Sequence, residues 1–342
     1  MIDLRHSALL YGHYCTGFNG LGQRRRFYYN STLLGLGLAL KNDNCDYNKN
    51  MPLTPFVPQN VLLMPNAAVP KAVSLAEKLE KLLSDQNVKT RWFPYDFEDW
   101  ERVPDLDGID MVTVFGGDGT LLRAGHICAP LGIPILGVQA GRLSFLVELH
   151  EENLASGIQR LIKKDYHMES RMMLTAELYS DGQLAQSWDV INEAVICRGK
   201  DVRPIQVRVD LREGYMNSYM ADGVIVSTAT GSTAYALASG GPVLPPELRN
   251  MLILPIAPHL SFDRAVVLAE GAEVDLYPTT RLDVVLCVDG MEPVPLKNGD
   301  RVHVRANKQS LHMLRFGEPN YFYRDLAAMM QRNPILEMKK ND

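Results

Sequence analysis

A glycine-rich turn with an acid inside it constrains this chain more than any other feature. Gly116-Gly117-Asp118-Gly119-Thr120 follows the apolar run Met111-Val112-Thr113-Val114-Phe115 and precedes Leu121-Leu122-Arg123-Ala124. The run reads as a buried strand and the later segment as the start of a helix. Glycines between a strand and a helix let bare backbone N–H groups close around an anion. A carboxylate in such a turn repels phosphate, so phosphate holding alone does not explain Asp118. A metal ion explains it better, as does a hydroxyl that must lose its proton beside the phosphate. The turn therefore points to phosphoryl transfer. Gly116, Gly117, Gly119 and Thr120 form the expected phosphate loop, and Asp118 is the candidate catalytic residue.

Other signals narrow the chemistry. There is no GxxxxGK[ST] segment and no convincing GxGxxG opening a βαβ unit, which excludes a Walker-type site and the usual Rossmann dinucleotide grip. A formal net charge of -5 gives no reason to expect nucleic acid as a partner. The five cysteines lack CxxC spacing. They read as reduced thiols of a cytoplasmic protein, with no dedicated metal site. No apolar stretch approaches the roughly 18 residues that a membrane helix needs, so no membrane association is expected.

The chain divides by rhythm. Residues 1–55 carry Arg24-Arg25-Arg26, clustered tyrosines and a glycine-broken apolar run at 33–40. The basic patch lies late and no small-residue cleavage site follows, which argues against a signal peptide. A disordered leader is expected, or a start codon placed too early, with translation beginning at Met51. Residues 56–167 alternate short apolar runs with amphipathic segments. Strands are expected at 61–64, 89–95, 111–115 and 133–138, and helices at 70–86 and 151–164. That pattern implies an α/β domain with a mostly parallel sheet. Residues 168–318 turn to strand-period alternation, as in Met172, Leu174, Ala176 and Leu178, with turns at Asp181-Gly182, Asp289-Gly290 and Asn298-Gly299. This is a β-rich second domain. Residues 319–342 return to helix from Tyr321, expected to pack back on the first domain.

Three further segments suit a polar ligand. Asn192-Glu193 ends an apolar run: the amide can read an adenine edge or ribose hydroxyls, and the carboxylate can accept from a diol. Residues 221–235, from Ala221-Asp222-Gly223 to Gly231-Ser232-Thr233-Ala234-Tyr235, run a strand into a dense hydroxyl cluster. Small hydroxyl side chains let backbone and Oγ groups approach a ligand together, and Tyr235 offers a face for a base. His259, in Pro255-Ile256-Ala257-Pro258-His259, can donate to a phosphate or pack near a ribose, although a lone histidine is more often structural.

In this order and spacing, the four segments resemble the NAD kinase family over roughly residues 58–335. The resemblance implies an N-terminal α/β domain, a β-sandwich-like C-terminal domain and an active site between them. It implies transfer of the ATP γ-phosphoryl group to the 2′-hydroxyl of the adenosine ribose of NAD, with polyphosphate an alternative donor in some members. Mg²⁺ or another divalent metal would arrive with the triphosphate. By the resemblance, Asp118 is the proton acceptor, and Asp118 and Gly119 contact the substrate. Asn192 and Glu193 bind adenosine and ribose, and Asp222 holds the nicotinamide side. Thr233, Ala234, Tyr235, Ala236, Leu237 and Ala238 form the adenine-binding stretch. Arg123 and Arg203 fall at basic or polar contact positions, and Phe145 and His259 are further candidates. A homodimer or homotetramer is implied, because family sites are completed across an oligomer interface. Gln139, Ser144, Ala229 and Met291 depart from the family pattern, and none of them is expected to touch Asp118, Asn192, Glu193 or Asp222. Two other readings stand beside this one. A lipid or diacylglycerol-type kinase shares the glycine–acid loop but wants an apolar acceptor cleft. A non-catalytic NAD(P)-binding regulator would rest on the departures alone.

Overall fold

The computed structural model describes residues 54–96, 102–141, 144–259 and 263–318, together with Phe322 and Leu326. The expected leader falls outside the described residues, apart from its last two positions. The first half is built from β1 (Asn60–Pro65), α1 (Pro70–Ser84), β2 (Lys89–Trp92), β3 (Met111–Gly116), α2 (Asp118–Cys128), β4 (Ile135–Gln139) and α3 (Leu154–Ile162). Its strands pair in parallel in the order β2-β1-β3-β4. Every residue of β3 is buried, so it reads as an unbroken apolar run and not as an alternation. Helix α1 has Pro70 in its first turn and buries Ala72, Leu75, Ala76, Leu79 and Leu83, the spacing of one helical face.

Helix α2 begins three residues earlier than the sequence suggests, at Asp118 instead of Leu121. Gly117 caps it in extended conformation, and its carbonyl accepts from the N–H groups of Thr120 and Leu121 at 3.0 and 3.1 Å. An acid at the first helical position complements the positive end of the helix dipole, which favours the earlier start.

The second half contains β5 (His167–Ser180), β6 (Gln183–Val190), β7 (Glu193–Arg198), β8 (Ile205–Leu211), β9 (Gly214–Ala221) and β10 (Gly223–Ser227). A one-turn helix, α4 (Tyr235–Ala238), follows, and then β11 (Met251–Ile256), β12 (Val266–Leu268), β13 (Glu273–Pro278), β14 (Val284–Val288), β15 (Val294–Leu296) and β16 (Arg301–Arg315). The strands β12-β11-β10-β7-β14-β15 form an antiparallel sheet of their own. It packs on β5, β8, β13 and β16 through a core that includes Leu174, Ile196, Val207, Val224, Val274 and Val304. This is the expected β-sandwich-like architecture.

The sequence reading did not anticipate that one ten-stranded sheet runs through both halves. Strand β16 pairs antiparallel with β5 along its whole length, with a register shift between Ala306 and Ser310. Its first residues also pair with β13, and Met313 pairs in parallel with Ile135 of β4. Thus β16 carries the chain from the sandwich back to the α/β sheet, a task the sequence reading assigned to the C-terminal helix. Of that helix, Phe322 and Leu326 are described, both helical, with Phe322 buried. Its remaining residues lie outside the described ones.

A buried ion cluster sits where β16 reaches β4. Arg315 is 1 % exposed and Glu169 and Arg171 3 % each. Glu169 Oε1 accepts from Arg171 Nε at 2.7 Å and from Arg315 Nε at 3.2 Å. Arg315 Nη1 also lies 3.2 Å from Glu148 Oε2. Burial acts to raise the Glu169 carboxyl, but the charges of Arg171 and Arg315 outweigh it and lower the group to about 2. A carboxyl lowered in the folded state contributes stability above its unfolded value of 4.5, and that contribution fades as pH falls toward 2. Glu169→Gln should therefore destabilise the protein at neutral pH by on the order of 3 kcal/mol, because two buried guanidiniums lose their counter-charge. The gap between wild type and variant should close between about pH 5 and pH 2, read from thermal unfolding at a series of pH values. A gap that stays constant with pH would refute this linkage.

Candidate functional site

The site begins with how Asp118 is held. Its Oδ1 accepts from the Ser144 hydroxyl and from the backbone N–H groups of Phe145 and Leu146, each at 3.1 Å. Among the described residues, its Oδ2 accepts from Phe145 N–H alone, at 3.2 Å. One carboxylate oxygen is thus saturated and the other keeps room for a further donor. The contact with Ser144 corrects the expectation that the unusual residues leave Asp118 alone. A hydroxyl at this buried position reaches the carboxylate, which a glycine there has no side chain to do. Gln139 spends its amide within its own loop, on the Gly141 carbonyl at 3.1 Å.

The loop that holds Asp118 is itself held from behind. Arg315 Nη1 donates to the carbonyls of Leu146 and Val147 at 3.2 and 3.1 Å. The Leu146 residue therefore presents its N–H to Asp118 and its carbonyl to the buried ion cluster. Within the glycine turn, Gly119 is exposed, while Thr120 is buried, its hydroxyl accepting from Asn66 Nδ2 at 3.4 Å. Thr120 therefore braces the turn from beneath. Arg123 follows on α2, half-buried.

The hydroxyl-rich segment behaves differently from the expectation that its Oγ groups approach a ligand. Ser227 Oγ donates to the Asn192 carbonyl at 3.0 Å, and Thr228 Oγ1 to the Ile191 carbonyl at 2.6 Å. Ser232 Oγ bonds Leu244, and Thr233 Oγ1 donates to the Thr230 carbonyl at 3.2 Å. These hydroxyls satisfy buried backbone groups that no ladder reaches. Among the described residues, two polar atoms in the region are buried without a hydrogen-bond partner, Thr230 Oγ1 and Glu193 Oε2. An unpaired buried acceptor is costly, so both mark places where a ligand group is wanted.

Glu193 opens β7 and is buried. Burial pushes its carboxyl well above the ordinary value, the nearby Asp289 charge adds to the rise, and a bond with the Tyr235 backbone opposes it. The group therefore favours its neutral, hydrogen-bond-donating form. Tyr235 is 37 % exposed; burial raises its phenol, the Asp222 and Glu193 charges add to the rise, and Arg198 opposes it. Asp222 pairs with Arg198 at 3.2 Å. In α4, Ala236 is buried against Val195 and Ile225, Leu237 is partly covered and Ala238 is exposed, and Ala234 just before the helix is partly covered.

A cleft lined by Phe145, Arg171, Thr230, Thr233, Leu244 and Phe322 brings the Asp118-holding loop to the hydroxyl-rich segment. Arg203 and His259 do not line it: both are exposed, and the His259 N–H bonds the Met220 carbonyl at 2.7 Å. Arg171, Ser144, Asp289 and Arg315 escaped the sequence reading as site residues. Arg171 sits inside an ordinary strand alternation, and only an arginine at an inward position of β5 signals it.

The fold and site define an α/β unit with a glycine–acid turn, joined through one sheet to an antiparallel sandwich that completes the cleft. Residues 70–166 match the family model of the ATP-NAD kinase N-terminal domain, and residues 191–316 that of the ATP-NAD kinase C-terminal domain. The chain is 36% identical over 268 residues to an NAD kinase of Dehalococcoides mccartyi, covering 78% of this chain and 93% of the relative. It is 36% identical over 276 residues to an NAD kinase of Chloroflexus aurantiacus, covering 80% and 99%. Yeast NADH kinase, solved in complex with NADH, shares the fold with a TM-score of 0.71 at 24% identity, over 80% of this chain and 88% of that one. An NAD kinase from Archaeoglobus fulgidus, solved in complex with ATP, does so with a TM-score of 0.63 at 22% identity, over 80% and 99%. The chain belongs to the NAD kinase family.

Close packing in the site yields a prediction. A Cβ on Gly231 would stand 2.2 Å from the Asn192 carbonyl oxygen and 2.4 Å from Ser227 Oγ. Gly231→Ala should therefore push the segment off the Asn192 turn and cost about 1–3 kcal/mol of stability. Denaturant unfolding followed by circular dichroism checks this, and an unchanged midpoint would mean that the turn yields freely.

Proposed function

We infer that this protein is an NAD kinase, transferring the γ-phosphoryl group of ATP to the 2′-hydroxyl of the adenosine ribose of NAD to give NADP. The observation that carries the reading is that proteins named NAD kinase align with this chain over 93% and 99% of their own length. The site chemistry supports it. The partnerless polar atoms of Glu193 and Thr230 and the buried Arg171 suit a polar nucleotide better than the apolar acceptor of a lipid-type kinase. Neither that alternative nor the non-catalytic regulator gains support from the comparisons.

In the proposed mechanism, the 2′-hydroxyl attacks the γ-phosphorus in line. Such transition states are loose, so positioning and charge neutralisation outweigh deprotonation. The first N–H groups of α2, with Gly116, Gly117 and Gly119, face the phosphates. Asp118 Oδ2 orients the hydroxyl and takes its proton as the bond to phosphorus forms. Asn192 and Glu193 hold adenosine and ribose. Asp222 holds the nicotinamide side, and residues 233–238, with Tyr235 exposed for stacking, hold the adenine. Arg123 and Phe145 are assigned supporting contacts; Arg203 and His259, exposed and outside the cleft, keep such a role by the family resemblance alone. No group of three or more His, Cys, Asp or Glu side chains among the described residues could hold a metal ion; a divalent cation such as Mg²⁺ would be carried on the triphosphate. That ion, when bound, supplies neutralisation of phosphate charge. Polyphosphate as a second donor and a homodimer or homotetramer rest on the family resemblance alone, and a cytoplasmic setting on the cysteine pattern. Among the described residues, no helix is long and apolar enough to cross a membrane.

The test uses purified protein with ATP, Mg²⁺ and NAD, with NADP read by an NADP-specific dehydrogenase. Wild type should form NADP. Asp118→Asn should still bind NAD but lose about 10²–10⁴ in turnover. Near-normal turnover in that variant would remove Asp118 from the mechanism.

A further inference from the structure

Asp289 has no role in the mechanism so far, yet its side chain is 1 % exposed and fully engaged. It closes β14 in a left-handed conformation, φ 47°. Its Oδ2 accepts from Ile191 N–H at 2.7 Å, and its Oδ1 from Asn192 N–H and Glu193 N–H at 2.8 and 2.9 Å. The Asp289 N–H returns a bond to the Glu193 carbonyl at 3.0 Å. Consecutive peptide N–H groups that converge on one carboxylate fix the φ and ψ angles between them, and hence the directions of the side chains they carry.

We propose that Asp289 is a positioning residue for dinucleotide recognition: it sets the Asn192–Glu193 turn and, through His126, ties that turn to the helix bearing Asp118. The proposal rests on the NAD kinase reading of the site. His126 lies in the last turn of α2, and its Nε2 stands 2.9 Å from Asp289 Oδ2. One residue before it, a Cβ on Gly125 would stand 2.6 Å from Ile191 Cδ1, so the helix presses directly on the turn. One end of α2 thus carries Asp118 and the other abuts the turn that presents Asn192 and Glu193. The separation of the proton acceptor from the acceptor-ribose contacts is set by the length of one rigid helix. The Asp289 charge is also a cause of the raised Glu193 carboxyl, so the same residue acts on the direction of that group and on its protonation.

Asp289→Asn keeps the size and one acceptor oxygen but cannot serve all the N–H groups as a carboxylate does. The measurements are the NAD dissociation constant by calorimetry without ATP, the KM values for NAD and ATP, kcat, and the thermal midpoint. The expected result is a rise of about tenfold or more in the NAD dissociation constant and KM. The KM for ATP should move far less, with a larger effect in Asp289→Ala. His126→Gln, which leaves the carboxylate in place, should shift NAD affinity in the same direction by a smaller factor, and it serves if the Asp289 variants fail to fold. Folded Asp289→Asn with unchanged NAD affinity, or with both KM values raised equally, would overturn the proposal, as would unchanged NAD affinity in His126→Gln. If wild type itself makes no NADP, the reading of the site fails; if it does and these variants bind NAD normally, only the positioning role fails.

Discussion

The guanidinium of Arg315 is the point on which the site's geometry depends. A buried cation costs free energy unless its surroundings satisfy it, and here Glu169, Glu148 and two backbone carbonyls do so. Those carbonyls belong to Leu146 and Val147, next to the N–H groups that hold Asp118. The residue sits at the last position of β16, the strand that links the sandwich to the parallel sheet. One side chain therefore joins the strand crossing between the halves to the loop that aims the carboxylate. Charge satisfaction explains why that loop, irregular in backbone, has a defined shape.

Much of the fold was legible because the two halves use different periods. β3 reads as a solid apolar run because both faces are covered, and β8 alternates buried and exposed residues along its first half. The start of α2 was misread because the residues favouring its first turn, Asp118-Gly119-Thr120, also look like loop. The continuous sheet was not legible. It depends on Met313 meeting Ile135, a long-range register that no local pattern announces.

For the site, the glycine–acid turn and the Asn192–Glu193 pair stood out because their residue types are unusual at strand ends. Ser227 and Thr228 stood out for the same reason but serve the backbone of the Asn192 turn, since a hydroxyl beside an unpaired carbonyl looks the same in sequence whether it faces ligand or chain. Ser144 and Asp289 were missed because their partners are distant in the chain: Ser144 meets Asp118 and Asp289 meets residues 191–193. Function was more legible than geometry. Chemistry constrains which residues appear, whereas placement is fixed by contacts that sequence does not order.

The long hydrogen-bond ladder between β16 and β5, interrupted once by the register shift between Ala306 and Ser310, has a mechanical consequence. The ladder registers from Arg301–Tyr179 to Arg315–His167, and the same pair of strands spans both halves. A clamshell closure of one half on the other would bend or shear that ribbon and break its bonds. Ligand entry must then be accommodated by loops and side chains around a stiff frame. A frame held in this way keeps the cost of ordering on binding small.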